Sequence, residues 1–178
     1  MSRRLAQGPD HPLEPREPSA PVRAVVALGA NLGDRAATLA TAVEELRALP
    51  LVEEVVASPP VESVAVKPEG PDASAPAYLN AVALVSTRLA PSVLLGYLHA
   101  IEARHGRERR ERWGDRTLDL DLIAYGDVRS DDPVLTLPHP RASTREFVLL
   151  PWLAIDPDAE LPGEGRVEDL LARIQEST

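Results

Sequence analysis

Two aspartates, Asp119 and Asp121, lie two residues apart in the segment T-L-D-L-D-L-I-A-Y-G at residues 117–126. The alternation predicts a strand on which both carboxylates share one face, while the leucines around them point into the core. Carboxylates about 7 Å apart, which is twice the rise of a strand, repel each other unless a cation lies between them. A hard cation such as Mg²⁺ takes carboxylate oxygens and keeps positions free for water and phosphate. Alone, however, this spacing is more often the solvated face of an amphipathic strand.

A cluster of arginines comes immediately before this strand, at Arg107, Arg109, Arg110, Arg112 and Arg116. Arginine is suited to bidentate recognition of phosphate and stabilises the charge that develops on a transferring phosphoryl group. A run of this kind can equally be a solvated, charged loop. Metal-binding carboxylates beside an arginine loop favour a phosphoryl-transfer site more than either feature does alone.

Two other polar segments could contribute to such a site. The segment G-A-N-L-G-D at residues 29–34 resembles a glycine-rich phosphate loop. It lacks the G-K-S/T of a P-loop, so a tight strand-to-helix turn is the favoured interpretation. His139, in L-P-H-P-R, could contact a phosphate or could be a loop histidine held by turn hydrogen bonds. His105, near the end of a predicted helix, is typical of a residue that interacts with the helix dipole.

Aromatic residues are scarce, at 3% of the chain. Phe147 is the only phenylalanine and would ordinarily pack in the core. Tyr78 opens a predicted strand with Asn80 on the same face, and a tyrosine and a phenylalanine could sandwich a flat ring whose edge an amide reads. Trp113 lies within the arginine cluster, where an exposed tryptophan suggests a lid.

Composition excludes several classes of protein. The chain has 178 residues, of which 44% are apolar and 26% charged, which suits one soluble domain with a hydrophobic core. Its net charge of −9 argues against a general nucleic-acid binder, and the absence of cysteine excludes disulfides and thiolate metal sites. No apolar run approaches the roughly 20 residues of a membrane helix, and the N-terminus lacks the apolar region of a secretory signal. We therefore expect a cytoplasmic protein.

The order of predicted elements is β-α-β-β-α-β with C-terminal additions, within one domain at residues 22–178. Residues 1–21 are rich in proline and charge and predict a disordered tail. A helix begins after Asp34 and ends at Pro50, and residues 59–77 read as a long loop. The other predicted segments are strands at 22–29, 51–58, 78–87 and 117–126, helices at 90–106, 143–157 and 167–177, and a short extended piece at 134–140. One sheet with helices on one face, the ferredoxin-like α+β arrangement, accommodates this order.

Several of these motifs together resemble the 6-hydroxymethyl-7,8-dihydropterin pyrophosphokinases of folate biosynthesis. The blocks that carry the resemblance are A-L-G-A-N-L-G-D, Y-L-N-A-V-A-L-V-S-T, R-W-G-D-R-T-L-D-L-D-L-I-A-Y-G-D, L-P-H-P-R and R-E-F-V-L-L-P-W-L-A-I. They follow in the family's order between about Val22 and Pro157. The resemblance implies a ferredoxin-like α+β fold. It also implies transfer of the terminal pyrophosphoryl unit of ATP to the hydroxymethyl group of the pterin, with release of AMP.

The resemblance also implies a role for particular residues. Asp119 and Asp121 would hold two Mg²⁺ ions that bridge the ATP phosphates, and Arg107 and Arg116 would stabilise the transition state. Residues around the nucleotide would be Glu102, Arg109, Arg112, Trp113, Leu122, Thr136, His139 and Arg145. Residues around the pterin would be Ser58, Pro59, Pro60, Val61, Tyr78, Asn80 and Phe147. The implied partners are ATP and the pterin alone, with neither nucleic acid nor a membrane, and the implied state is a monomer.

Two positions depart from the family's pattern. Asp115 stands where a proline is common, and Val134 stands where many members carry an arginine toward the nucleotide. Two other interpretations stay open at this point. One is a ferredoxin-like module that binds RNA or a ligand without catalysis, although the paired aspartates would repel a nucleic-acid backbone. The other is an inactive family member retained as a partner protein. Whether ligand binding requires Mg²⁺ discriminates the first of these from an enzyme.

Overall fold

A computed structural model of the chain describes residues 20–67, 70–72, 77–106 and 117–177, with the side chains of 65–67 and 70–72 excepted. The strands are β1 (Val22–Ala30), β2 (Val52–Ala57), β3 (Val61–Ser63), β4 (Ala65–Lys67), β5 (Gly70–Asp72), β6 (Tyr78–Thr87), β7 (Asp119–Tyr125), β8 (Ser130–Asp132), β9 (Leu135–Leu137), β10 (Glu160–Leu161) and β11 (Gly165–Arg166). The helices are α1 (Arg35–Arg47), α2 (Pro91–Arg104), α3 (Glu146–Ile155) and α4 (Val167–Glu176), and a 3₁₀ turn spans Ala142–Thr144. The predicted tail lies almost entirely outside these ranges.

The main sheet has the order β2-β6-β1-β7, and β3 pairs with the part of β6 beyond β2. Every neighbouring pair of strands is antiparallel. This is the strand order that a β-α-β-β-α-β chain produces when each helix carries the chain over one intervening strand. The α+β class is therefore confirmed, and β6 has the predicted bounds.

Local sequence accounts for α1. Asp34 caps this helix, since its carboxylate accepts a hydrogen bond from the Ala37 N–H at 3.0 Å. The predicted apolar positions Leu39, Val43 and Leu46 are all buried. They pack with α2 and with one face of the sheet, so the helical spacing of three apolar side chains positions α1 against the strands.

The second face of the sheet is also covered. Helices α3 and α4 bury it with a separate apolar cluster that includes Val82, Ile123, Trp152 and Leu170. The expected arrangement of helices on one face therefore holds for α1 and α2 only. Because β6 lies between two cores, its residues 80–85 are buried on both faces.

The segment at 59–77 is not wholly a loop. Strand β3 lies within it and extends the sheet, with Val61 opposite Asn80. The preceding prolines, Pro59 and Pro60, have no N–H to donate to a neighbouring strand. A strand that directly follows two prolines is therefore difficult to recognise from the sequence. Just before them, the Ser58 hydroxyl accepts a hydrogen bond from the Val82 N–H at 3.0 Å, and Ser58 N donates to the Val82 carbonyl at 2.8 Å. These bonds keep the chain attached to β6 where regular pairing stops.

None of the helices in the described ranges is long and apolar enough to cross a lipid bilayer.

Candidate active site

One row of residues crosses four strands of the sheet. In the strand register, Val61 of β3 lies opposite Asn80 of β6, Asn80 lies opposite Gly29 of β1, and Gly29 lies opposite Asp119 of β7. Directly opposed residues point to the same face of a sheet. The predicted pterin contact Asn80 and the predicted metal ligand Asp119 therefore share a face, with only a glycine between them.

The next row contains the second aspartate. Asp121 lies opposite Ala27, which in turn lies opposite Val82, a residue of the core beneath α3 and α4. Both aspartates therefore share one face, as the alternation predicted, and it is the face that α3 and α4 cover. The carboxylate of Asp121 lies near the apolar cluster but retains 34% of its side-chain exposure.

The backbone between the aspartates is held from the opposite side. Glu102 of α2 is 1% exposed and accepts a hydrogen bond from the Leu120 N–H at 2.8 Å. Strand β7 is at the edge of the sheet, so this carboxylate supplies the acceptor that a further strand would have supplied. Glu102 therefore fixes the strand at the residue between Asp119 and Asp121. Leu122 is buried on the α1 and α2 face, so it could approach a nucleotide only through its backbone.

Two basic side chains converge on Asp121. The Arg145 guanidinium donates to its carboxylate at 3.1 Å, and His139 Nε2 lies 4.0 Å from the same oxygen. Arg145 immediately precedes α3, whereas His139 follows β9, so three separate parts of the chain meet here. All three residues were predicted to belong to the site, but the ion pair between Arg145 and Asp121 was not predicted.

His139 is held in one orientation. Its Nδ1 accepts a hydrogen bond from the Arg141 N–H at 3.2 Å, which leaves the proton of a neutral imidazole on Nε2, the nitrogen directed toward Asp121. Burial lowers the pKa of His139 below its ordinary value, and the charges of Arg145 and Arg141 lower it further, although the nearby carboxylates oppose this shift. His139 is therefore a neutral N–H donor at neutral pH. The turn hydrogen bond of the second interpretation is present, whereas contact of His139 with a phosphate stays a prediction.

The residues predicted to contact the pterin begin next to Arg145. The guanidinium carbon of Arg145 lies 5.6 Å from the centre of the Phe147 ring, so a cation–π contact joins the residue bound to Asp121 to the predicted stacking residue. Helix α3, which carries Phe147, packs against β6 and β3. Tyr78 and Asn80 occupy one face at the start of β6, and both approach Gly29. The structure thus gathers Phe147, Tyr78 and Asn80 around the same end of the sheet.

Strand β3 and the residues just before it form the edge of this part of the site. Val61 lies in the same row as Asn80, whereas the buried Ser58 hydroxyl is engaged with the Val82 N–H. Of the predicted pocket residues, Ser58, Pro59 and Pro60 therefore form the short connection from β2 to β3, and Val61 is the first residue of β3. Arg35 ties this region to α1, since it donates to the Ala77 carbonyl at 2.6 Å and to Glu62 at 2.9 Å.

A cavity of about 390 Å³ lies beside His139. Its lining includes Thr136, which the sequence placed near the nucleotide, together with Arg129 and Ser143. The Thr136 hydroxyl donates to the Asp132 carbonyl at 3.0 Å. Val134, the position at which the family often has an arginine, is 80% exposed.

The remaining predictions have different outcomes. Arg107, Arg109, Arg110, Arg112, Trp113, Asp115 and Arg116 lie outside the described residues, so their roles stay predictions. The G-A-N-L-G-D segment forms the favoured strand-to-helix turn, with Gly29 inside β1 and Gly33 at a φ of +62°. His105 Nε2 lies 2.6 Å from a carboxylate oxygen of Glu45 in α1. This histidine at the end of α2 therefore has a side chain of another helix as its partner.

Two residues that contribute to the site were not predicted from the sequence. Gly29 was considered only as part of a phosphate loop, although it lies between Asn80 and Asp119. Ser63 was not considered, although its hydroxyl accepts a hydrogen bond from the Asn80 amide at 2.8 Å. Alternation along β1 could have signalled Gly29, since a glycine in a strand marks a close approach. Ser63 carried no signal, because β3 was not recognised.

The family model for 7,8-dihydro-6-hydroxymethylpterin-pyrophosphokinase matches residues 25–157. The chain belongs to this family. It is 40% identical to the 2-amino-4-hydroxy-6-hydroxymethyldihydropteridine pyrophosphokinase of Methylorubrum extorquens, over 87% of this chain and 95% of that protein. It is 41% identical to the enzyme of the same name from Pseudomonas aeruginosa, over 84% of this chain and 90% of that protein. Membership makes the protein a pterin pyrophosphokinase of folate biosynthesis.

Solved structures agree at the level of the fold. A crystal structure of HPPK-DHPS in complex with substrates superposes with a TM-score of 0.67 at 12% identity and covers 89% of this chain. A Plasmodium falciparum HPPK-DHPS with pteroate gives a TM-score of 0.65 over 86% of this chain. The chain spans 44% of the length of each of these proteins. At this identity, the comparison supports the ferredoxin-like α+β fold alone.

Proposed function

We propose that the protein transfers the pyrophosphoryl group of ATP to the hydroxymethyl oxygen of 6-hydroxymethyl-7,8-dihydropterin in an Mg²⁺-dependent reaction. The pterin alcohol attacks the β-phosphorus, a new P–O bond forms there, and the bond between the β-phosphorus and the oxygen leading to the α-phosphate breaks. The alcohol proton is lost and AMP leaves. The proposal includes a monomeric enzyme, for which the support is the family resemblance, in the cytoplasm, as expected from the sequence.

The observation that carries the proposal is the row that runs from Asn80 over Gly29 to Asp119. A strand spacing of about 4.8 Å puts the backbones of Asn80 and Asp119 roughly 10 Å apart on one face. A ring bound at the amide end would direct a substituent toward the carboxylate end. The acceptor alcohol and the phosphates would then meet above β1, which is the proximity that a two-substrate transfer requires.

The two carboxylates fit a magnesium site. Within the described ranges, no group of three or more His, Asp or Glu side chains could by itself hold a metal ion. Mg²⁺ bound with a nucleotide typically uses one or two protein carboxylates, and phosphate and water supply its other ligands. Asp119 and Asp121 would therefore hold the ions, and the ions would supply positive charge to the phosphates.

Arg145 and His139 add donors beside these carboxylates. The Arg145 guanidinium donates a hydrogen bond to Asp121. An incoming phosphate offers it a second anionic partner within the same region, and the neutral His139 offers an Nε2–H to a phosphate oxygen. The nucleophile is an ordinary alcohol, so positioning and charge stabilisation would provide most of the rate, with Arg107 and Arg116 expected to contribute from the adjacent segment.

The test is the identity of the nucleotide product. The purified protein is incubated with ATP, Mg²⁺ and 6-hydroxymethyl-7,8-dihydropterin, and the nucleotides are separated by anion-exchange chromatography. We expect AMP, formed only when both the pterin and Mg²⁺ are present. ADP as the main product would mean attack at the γ-phosphorus and would overturn the proposed reaction. Absence of turnover with confirmed pterin binding would favour the binding-module interpretation.

A further inference from the structure

Gly29 forms the floor between the two halves of the proposed site. A Cβ atom at this position would lie 3.3 Å from Asn80 Oδ1 and 3.7 Å from Tyr78 Cδ1. The first distance is shorter than side-chain carbons normally adopt, so a methyl group there would displace the amide by a few tenths of an ångström. The absence of a side chain leaves the backbone of β1 accessible to a flat ligand beside the amide.

The Asn80 amide is oriented by β3. Its Nδ2 donates to Ser63 Oγ at 2.8 Å, and the Val61 carbonyl oxygen lies 3.5 Å from the same nitrogen. A backbone carbonyl can only accept a hydrogen bond, so the nitrogen belongs on this side. The amide oxygen is consequently the atom that lies over Gly29. Asn80 is 5% exposed, so this orientation is fixed within a largely buried environment.

We propose that Ser63 and Gly29 determine the specificity of the pterin subsite. Ser63 holds the Asn80 amide with its oxygen over Gly29, and Gly29 provides the space in which a flat heterocycle presents a hydrogen-bond donor to that oxygen. The inference rests on the proposed function. The substrate named for the bacterial relatives carries a 2-amino group, which is a donor of this kind.

The two residues act in different ways. Ser63 is a positioning residue, because it acts through Asn80. Without its hydroxyl the Asn80 Nδ2 keeps only the longer, 3.5 Å contact with the Val61 carbonyl. The amide is then held less firmly with its oxygen over Gly29, which weakens binding of a ring that donates to that oxygen. Gly29 acts by shape, because a methyl group would occupy the space beneath the ring. Ser63 lies in β3, which β6 and β1 separate from the aspartates of β7, whereas Gly29 lies directly opposite Asp119.

Calorimetric titration of 6-hydroxymethyl-7,8-dihydropterin tests this inference, with Mg²⁺ and a non-hydrolysable ATP analogue present. We expect Ser63→Ala to weaken pterin binding roughly three- to tenfold, the range for one lost hydrogen bond, and Ser63→Thr to restore it. We expect Gly29→Ala to weaken binding on the order of tenfold or more, as an added methyl group does in a fitted pocket. Affinity for the ATP analogue should be unchanged in both Ser63 variants, because β6 and β1 lie between β3 and the aspartates of β7.

Matched controls are available elsewhere in the chain. Ser177→Ala removes an exposed serine hydroxyl that donates to the Arg173 carbonyl, and Gly96→Ala adds a methyl group in α2 where no heavy atom lies within 4 Å. Both controls should bind the pterin as the wild type does. Thermal denaturation of each variant shows whether it is folded. If Gly29→Ala does not fold, the comparison of Ser63→Ala with Ser63→Thr decides the question.

The outcomes separate this inference from the proposed function. Wild-type pterin affinity in folded Ser63→Ala and Gly29→Ala would overturn it, as would an equal loss of affinity for the ATP analogue in Ser63→Ala. Failure of Ser63→Thr to restore binding would overturn the role of the hydroxyl. If the wild type binds the pterin but forms no AMP, the proposed reaction fails, while the variant series still tests the subsite. If the wild type does not bind the pterin, both proposals fail.

Discussion

Asp121→Asn is expected to abolish most turnover while leaving the fold almost unchanged. The substitution keeps the shape of the side chain and removes the charge that faces Arg145 at 3.1 Å. Because the Asp121 side chain is 34% exposed, the ion pair is screened by water, and such pairs contribute about 0.2–1 kcal/mol. For a chain of 178 residues, this loss corresponds to a decrease in Tm of no more than about 4 °C.

The expected effect on turnover is much larger. Removal of one group that stabilises charge in an active site typically lowers kcat by about 10²- to 10³-fold, and Asp121 is one of two proposed magnesium ligands. The assay is AMP release at saturating ATP and pterin, with the Tm of the same preparation measured by circular dichroism. A decrease in kcat on the order of 10²-fold, with a small change in Tm, is the predicted result.

A second aspartate provides a matched control. Asp156, just beyond α3, pairs with Arg23 at 3.4 Å and has a 23% exposed side chain. Asp156→Asn therefore breaks a comparable ion pair, since Arg23 lies at the opposite end of β1 from Gly29, the residue that faces Asp119. It should change Tm by a similar amount and leave kcat unaltered. If Asp121→Asn retained more than about a tenth of the wild-type kcat, or if Asp156→Asn lost as much activity, the assignment of Asp121 would be wrong.

Two further predictions concern stability. Glu102→Ala leaves the buried Leu120 N–H without its acceptor and should lower the free energy of unfolding by about 1–3 kcal/mol in urea denaturation. Glu102→Gln keeps an acceptor oxygen and should cost less; equal losses would contradict this role. Burial alone would raise the pKa of Glu45, but the hydrogen bonds from His105 and Arg104 lower it by more. Protonation therefore opposes folding: the stabilisation is present above the ordinary glutamate pKa and is lost as the pH falls through the lowered value. The Tm difference between the wild type and Glu45→Gln should shrink during acid titration, and a constant difference would refute this linkage.

The parts of the fold predicted correctly are those with a local physical cause. Asp34 caps a helix because a carboxylate accepts from the first free N–H groups, and that is visible in sequence. Asp119 and Asp121 share a face because strand side chains alternate, whatever the strand packs against. Strand β6 was predicted from Tyr78 to Thr87 because its side chains alternate in character as those of a strand do.

The parts that escaped prediction depend on tertiary contacts. Strand β3 has three residues and follows two prolines, so only its pairing with β6 identifies it as part of the sheet. The covering of the second sheet face by α3 and α4 depends on where the chain returns after β7, which periodicity does not encode. The Arg145–Asp121 pair joins residues 24 positions apart. For the same reason, the contribution of Gly29 became apparent only once Asn80 and Asp119 were placed on either side of it.

The fate of the β-phosphorus tests the central claim most directly. Phosphorus NMR of a reaction containing the wild-type protein, ATP, Mg²⁺ and 6-hydroxymethyl-7,8-dihydropterin follows all three phosphorus atoms at once. The account predicts a pterin diphosphate with two coupled phosphorus signals, formed in equal amount to AMP. A single phosphorus on the pterin together with ADP, or inorganic phosphate released without any pterin ester, would contradict it.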